Sequence, residues 1–318
     1  MILSASRRTD IPNYYSRWFL NRLREGFLCV RNPWNTRQVS RISLSPEVVD
    51  CIVFWTKNPA DMIKYLEYLE DYTYYFQFTL TGYGRELEPG LPDKRGELLS
   101  TFRTLSEKIG RERVIWRYDP ILFDERYTMA YHLKAFERIA GHLADYTERV
   151  VISFLDLYAK TRRNLNGFDS AAMTAENMTA LAGEMAQIAA GRHLTIESCA
   201  EQIDLHSVGI EHGSCIDQKL IERLAGCKLK GRKDKNQRES CRCLESVDVG
   251  AYHTCLNGCK YCYANDSDER VRKTISVYDE NSPLLCGTIR ADDRVLNREV
   301  KSLRDRQISL LDFFDKTL

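Results

Sequence analysis

Short runs of apolar, β-branched or aromatic residues recur at 2–5, 51–55, 74–80, 113–116, 150–154 and 193–196. Each has the length of a strand buried on both faces, and each is bounded by polar or turn-forming residues. Between them, apolar positions recur at helical spacing over 14–25, 59–69, 95–109, 128–143 and 174–189. Strand-then-helix order repeated in this way predicts a parallel sheet with right-handed crossovers. Six such units predict an α/β fold, a partial (β/α)6 TIM-like barrel, with a doubly wound sheet as the alternative. No sequence repeat of fixed period accompanies them.

Polar residues close each apolar run: Arg7, Arg8, Thr9 and Asp10; Thr56, Lys57 and Asn58; Thr79 and Thr81; Arg117, Tyr118 and Asp119; Asp156; Glu197, Ser198 and Cys199. In a parallel barrel these positions share the rim where chemistry gathers. Some are expected only to cap helices or start turns, as at Asn58-Pro59 and Asp119-Pro120. Arginines there would hold a phosphate or carboxylate, or would pair internally with Asp10, Asp119, Asp156 and Glu197. Trp55, Trp116, Tyr118 and Tyr158 would stack on a base or serve as ordinary packing. Arg7, Arg8, Asp10, Lys57, Arg117 and Asp119 are therefore candidate catalytic residues, and Asp156 and Glu197 candidate cofactor-binding residues.

Charge changes this picture little. The 318 residues carry 46 basic and 45 acidic side chains, so no global field draws the protein to nucleic acid or membrane. No apolar run reaches membrane-spanning length, and the opening residues lack the long apolar stretch of a signal peptide. A cytosolic location is expected. In a reducing compartment the 11 cysteines are then expected to bind metal or react, not to pair as disulfides.

The cysteines crowd the second half of the chain. Cys255-Leu-Asn-Gly-Cys259-Lys-Tyr-Cys262 has the spacing C-x3-C-x2-C, with an aromatic before the last cysteine. Three thiolates on one tight loop suit three irons of a [4Fe–4S] cluster and leave the fourth iron open. Gly258 would let the backbone pass close to the cluster. A structural zinc site is the alternative, with Cys241 or Cys243 completing four ligands.

This motif resembles the signature of the radical S-adenosylmethionine (SAM) superfamily, and its Tyr-Cys-Tyr-Ala ending is similar to the spore photoproduct lyase branch. The resemblance implies that Cys255, Cys259 and Cys262 hold the cluster and that Tyr261 packs near the adenine. It implies that SAM chelates the open iron, that a cluster electron cleaves SAM, and that a 5′-deoxyadenosyl radical abstracts hydrogen from substrate. It also implies a reductant such as flavodoxin or ferredoxin. The superfamily places this motif after its first strand, whereas here it lies beyond the sixth, so the loop is expected to fold back over the barrel mouth. That order, with Ser-Arg-Arg-Thr-Asp near the start and Phe54-Trp55-Thr56-Lys57-Asn58-Pro59, resembles an uncharacterised bacterial family, domain of unknown function 1848.

Cys199, Cys215, Cys241 and Cys243 remain as ligands for a second [4Fe–4S] cluster, or as buried thiols acting as small hydrophobes. Cys29, Cys51, Cys227 and Cys286 have no patterned partners. His193, His132 and His142 read as structural. The composition turns basic after Gly226, with Lys228, Lys230, Arg232, Lys233, Lys235 and Arg238 against Asp234. An exposed loop there would divide a barrel domain, residues 1–226, from a C-terminal iron–sulfur segment and tail, residues 227–318. In the tail, Gln307, Leu310, Leu311, Phe313 and Phe314 resemble the short peptide that docks repair proteins on a sliding clamp. Packing of the tail on its own barrel is the alternative. Together these features favour a radical SAM enzyme acting on an unidentified substrate such as a nucleic-acid lesion. The rival reading is a non-catalytic, metal-stabilised nucleic-acid-binding protein.

Overall fold

Each of the six expected runs forms a strand, and the six lie side by side in chain order. The computed structural model describes residues 1–156, 159–165 and 172–305. Its strands are β1 (Ile2–Ala5), β2 (Phe27–Arg31), β3 (Gln38–Ser43), β4 (Cys51–Thr56), β5 (Tyr74–Thr79), β6 (Val114–Ile121), β7 (Arg149–Phe154), β8 (Thr195–Ser198), β9 (Glu211–His212), β10 (Val247–Asp248) and β11 (Arg294–Asn297). An eight-stranded sheet has the order β10-β1-β4-β5-β6-β7-β8-β9, and every neighbouring pair in it is parallel. All strand C-termini therefore meet at one edge, as the alternation of elements requires.

The helices are α1 (Ile11–Tyr14), α2 (Ser16–Glu25), α3 (Leu99–Ile109), α4 (Met129–Leu143), α5 (Ala159–Asn164), α6 (Ala175–Ala190), α7 (Gln218–Ala225) and α8 (Asp268–Ile275). Side chains alternate across a strand, so each strand feeds two cores. One face carries Leu3, Ile52, Phe54, Phe76, Phe78, Trp116 and Ile152 against α2, α3, α4 and α6. Phe54 stacks on Phe76 with centroids 4.7 Å apart, and Trp116 on Phe136 at 4.9 Å. Each such fully buried ring contributes about 1.5–3 kcal/mol. The other face carries Ile2, Cys51, Val53, Tyr75, Ile115 and Val151. It is covered by the chain after β9, through Ile216, Leu220, Ile221, Leu229 and Leu244. Burial on both faces is why these strands read as continuous apolar runs.

Several local expectations are corrected. Residues 14–25 do not form one helix. Pro12 starts the short α1, Tyr15 breaks it at φ −133°, and α2 begins at Ser16. Residues 62–69 form a 3-10 helix with a kink at Tyr65, and α3 is entered through a wide turn at Lys94–Leu98. Asp119-Pro120 starts no helix, because β6 continues through it to Ile121. Arg117, Tyr118 and Asp119 thus lie within β6, and Glu197 and Ser198 within β8. His193 opens no strand; it sits at φ +57° in the turn before β8.

The ends of α4 and α6 match the pattern. Thr128 caps α4 by accepting from Tyr131 N, and Thr174 caps α6 by accepting from Asn177 N. A second sheet, β11-β3-β2, was not anticipated. After Gly226 the chain still contributes to the second core, through Leu229, Cys241, Cys243 and Leu244, and β10 pairs with β1. No helix among the described residues is long and apolar enough to cross a membrane. Tyr158 and the tail residues Gln307, Leu310, Leu311, Phe313 and Phe314 lie outside the described residues.

Candidate functional site

The loop carrying Cys255, Cys259 and Cys262 folds back against the C-terminal edge of β1 and β4. Asn257, buried at 3% exposure, is its anchor. Its side-chain amide donates to Asp10 Oδ2 at 3.0 Å, and its oxygen accepts from Tyr14 Oη at 2.8 Å and Asn13 Nδ2 at 3.2 Å. Asp10 also caps α1 and accepts from the Lys57 amide at 2.8 Å, which ties the ends of β1 and β4 to the loop. Backbone bonds finish the attachment: Gly90 N to Asn257 O at 3.0 Å, and Lys260 N to Leu87 O at 2.9 Å. Gly258 sits at φ +63°, where glycine is favoured, and a Cβ there would lie 3.2 Å from Pro89 Cγ. Its glycine is thus explained by the turn itself.

Beneath the loop lies a buried charge cluster. Lys57 Nζ donates to Glu88 Oε1 at 2.7 Å and to Tyr261 Oη at 2.9 Å. Lys94 and the Tyr261 hydroxyl also donate to the Glu88 carboxylate, and Thr81 Oγ1 does so at 3.0 Å. The Glu88 side chain is 0% exposed. Burial alone would raise its pKa, but Lys57 and Lys94 outweigh it and hold the carboxyl at about 2. Burial also opposes the charge on Lys57, yet the charge and hydrogen bond of Glu88 keep that ammonium firmly protonated. The three thiols are electrostatic neighbours of one another. Burial pushes the Cys259 thiol up to about 12 and Cys255 well above its usual range. Both are therefore neutral as they stand. Ala264 N donates to Cys262 Sγ at 3.3 Å.

A second group of thiols gathers at the same edge. Cys199 follows β8, Cys215 follows β9, and Cys241 and Cys243 precede β10. Cys199 Sγ lies 3.0 Å from Cys215 Sγ, and Arg117 Nη1 donates to Cys215 Sγ at 2.9 Å. Hydrogen bonds from Cys199 and Cys243, then the guanidiniums of Arg117 and Arg7, hold the Cys215 thiol well below its usual range. Arg117 is itself fixed by Asp119, at 2.6 and 3.0 Å, and by Gln77 Oε1 at 3.1 Å.

The expected rim residues thus divide. Asp10 and Lys57 serve the loop, whereas Arg7, Arg117 and Asp119 stand beside the second thiol group. Arg8 stacks over Tyr252 at 5.1 Å and lies 3.9 Å from Asp248. Asp156 pairs with Arg238, and Glu197 pairs with Arg149 at 3.2 Å. Glu88, Lys94 and Tyr14 were missed by the sequence reading, and no periodicity or motif marks them. Among the described residues, no three His, Cys, Asp or Glu side chains are already disposed about a common metal position.

The architecture is that of an α/β protein whose parallel sheet carries two thiol groups at its C-terminal edge. Residues 2–264 match the profile of a family described as domain of unknown function (DUF1848), and the chain belongs to that family. The match runs from β1 through the last loop cysteine. No curated protein matches the chain. Among solved structures it is similar to a putative alpha-L-fucosidase from Bacteroides thetaiotaomicron VPI-5482. The two are 11% identical over 64% of this chain and 73% of that one, with a TM-score of 0.28. A likeness that weak bears on neither fold nor chemistry.

Proposed function

We propose that this chain is a radical SAM-type iron–sulfur enzyme whose catalytic cluster is held by Cys255, Cys259 and Cys262. The observation that carries the reading is the fixing of three neighbouring thiols on one loop at the C-terminal edge of a parallel sheet. The donor set suits the group: soft sulfur ligands, an amide N–H aimed at Cys262 Sγ, and the Lys57 ammonium beside Cys259 to offset the charge of a bound cluster. When bound and reduced, such a cluster supplies the electron that cleaves SAM and so opens radical chemistry on a substrate. Asp10 and Asn257 orient the loop, and Glu88 fixes Lys57 and Tyr261. The finer description of the sheet as a partial barrel is supported by six parallel strands adjacent in chain order.

The substrate proposed is a phosphate-bearing one, such as a nucleic-acid lesion. A cleft of about 770 Å³ adjoins the charge cluster, sharing Glu88 and Lys94 with it, and Arg85, Arg95, Lys134 and Arg138 line it. Protein purified without oxygen should be brown, and SAM should shift the paramagnetic resonance of its reduced form. It should convert SAM to 5′-deoxyadenosine and methionine. Cys255→Ala, Cys259→Ala and Cys262→Ala together should abolish both signals. Cleavage that survives the triple substitution, or a loop that holds only zinc, overturns the proposal.

A further inference from the structure

The second thiol group is built as a site in its own right. Its four cysteines come from three separate stretches of chain and are all buried, at 9% exposure for Cys199, 5% for Cys215, 7% for Cys241 and 2% for Cys243. Contacts link them in series: Cys199 with Cys215, Cys215 with Cys243, and Cys243 with Cys241. The Ile216 amide adds a donor to Cys243 Sγ at 3.4 Å.

Charge supplies the second observation. Arg7 lies beside Cys243 and Cys215, with its guanidinium 5.0 Å over the Trp55 ring. Its Nη2 is buried and has no hydrogen-bond partner among the described residues. The neighbouring Asp248 carboxylate is already occupied by Ser4 Oγ, Ser6 Oγ and the amides of Arg7 and Gly250. Arg117, on the far side, donates from one nitrogen to Cys215 Sγ at 2.9 Å, beside the hydrogen bonds that Cys215 receives from Cys199 and Cys243. A buried guanidinium N–H left without an acceptor is costly, so the arrangement has room for further negative charge beside Arg7.

We propose that Cys199, Cys215, Cys241 and Cys243 ligate a second metal centre, closed by four thiolates. Ligation takes all four sulfurs as thiolates, so each S–H proton still held is released to solvent, and it moves no electrons. With Zn²⁺ or a [4Fe–4S]²⁺ core the product carries a net charge of about −2, which meets Arg7 and supplements Asp119 beside Arg117. The thiols presently bond to one another in series, and ligation turns their side chains from these contacts toward one shared centre. Both metals share this ligand chemistry, and the metal found distinguishes them. The centre needs nothing from the Cys255–Cys262 loop.

The test uses the full chain carrying C255A, C259A and C262A, which removes the loop site. Purified without oxygen, it should retain either about one zinc, or about four irons with matching sulfide, per chain. Co²⁺ titrated into the metal-stripped protein should give thiolate-to-cobalt absorption that C241S with C243S removes. Arg7→Met keeps the thiols and the side-chain bulk, and should weaken Co²⁺ binding about 10- to 100-fold. A folded triple variant that holds no metal and gives no cobalt absorption overturns the proposal, as does Arg7→Met with unchanged Co²⁺ affinity. Because the loop is absent throughout, these failures are separate from a failure of SAM cleavage in the wild-type protein.

Discussion

The two thiol groups at the sheet edge differ in how the chain makes them. Cys255, Cys259 and Cys262 lie within eight residues on one loop, and their neighbours Asp10, Lys57, Glu88 and Tyr261 form a dense hydrogen-bonded bed. Cys199, Cys215, Cys241 and Cys243 meet only because the chain after β9 runs back over the sheet. The first group is local in sequence and rests on a carboxylate between two ammoniums. The second is assembled by topology and rests on two guanidiniums, one of which has a buried nitrogen with no hydrogen-bond partner among the described residues. A loop bearing only three thiols leaves room for a ligand from outside, whereas four buried thiols leave none.

The bed under the loop is where substitution should cost most. Glu88→Ala leaves Lys57 and Lys94 buried without their shared carboxylate, an expected loss of about 3–5 kcal/mol in urea unfolding. Asp156→Ala removes the half-exposed pair with Arg238 and should cost no more than about 0.5 kcal/mol. Equal costs for the two would show that the Glu88 cluster is not the keystone described above.

The same carboxylate gives a pH signature. The folded chain holds Glu88 ionised down to about 2, while the unfolded chain takes up that proton near 4.5. Its contribution is therefore complete above pH 4.5 and is lost as pH falls toward 2, by on the order of 3 kcal/mol. Subtracting the stability profile of Glu88→Gln from that of the wild type should isolate this window. A flat difference between pH 5 and 2 would contradict the burial and pairing assigned to Glu88.

What was legible follows the same division. The strands were readable because burial on both faces writes a continuous apolar run, as at Cys51–Thr56 and Tyr74–Thr79. The helices α4 and α6 were readable from apolar positions at helical spacing over 128–143 and 174–189, and Thr128 and Thr174 prove to cap them. The loop cysteines announced themselves by spacing. Glu88 and Lys94 did not, because a charge in an irregular segment reads the same whether water or a buried lysine meets it. The strands β2, β3 and β11 were hidden by mixed polarity, since Gln38–Ser43 buries only Val39 and Ile42. The four-thiol group was visible only as cysteines left over, and its arginines only as rim residues, because its assembly depends on where the chain after β9 travels.

A loss smaller than that at Glu88 sharpens the comparison most. Asn257 is the side-chain hinge between the loop and the sheet edge. Asn257→Ala takes one donor from the buried Asp10 carboxylate and the acceptor from Tyr14 Oη. Lost and unsatisfied bonds of this kind cost about 1–2 kcal/mol. The backbone bonds at Gly90 and Lys260 remain, so the loop should stay attached but lose its fixed orientation. Metal held by Cys255, Cys259 and Cys262 should then become several-fold more accessible to a chelator. Metal held by Cys199, Cys215, Cys241 and Cys243 should be unaffected, because separate sites with no shared partners respond independently. Chelator kinetics followed in Asn257→Ala should accordingly split into a fast and an unchanged phase. A single phase accelerated throughout would mean that the two thiol groups act as one centre, and the contrast between them would fall.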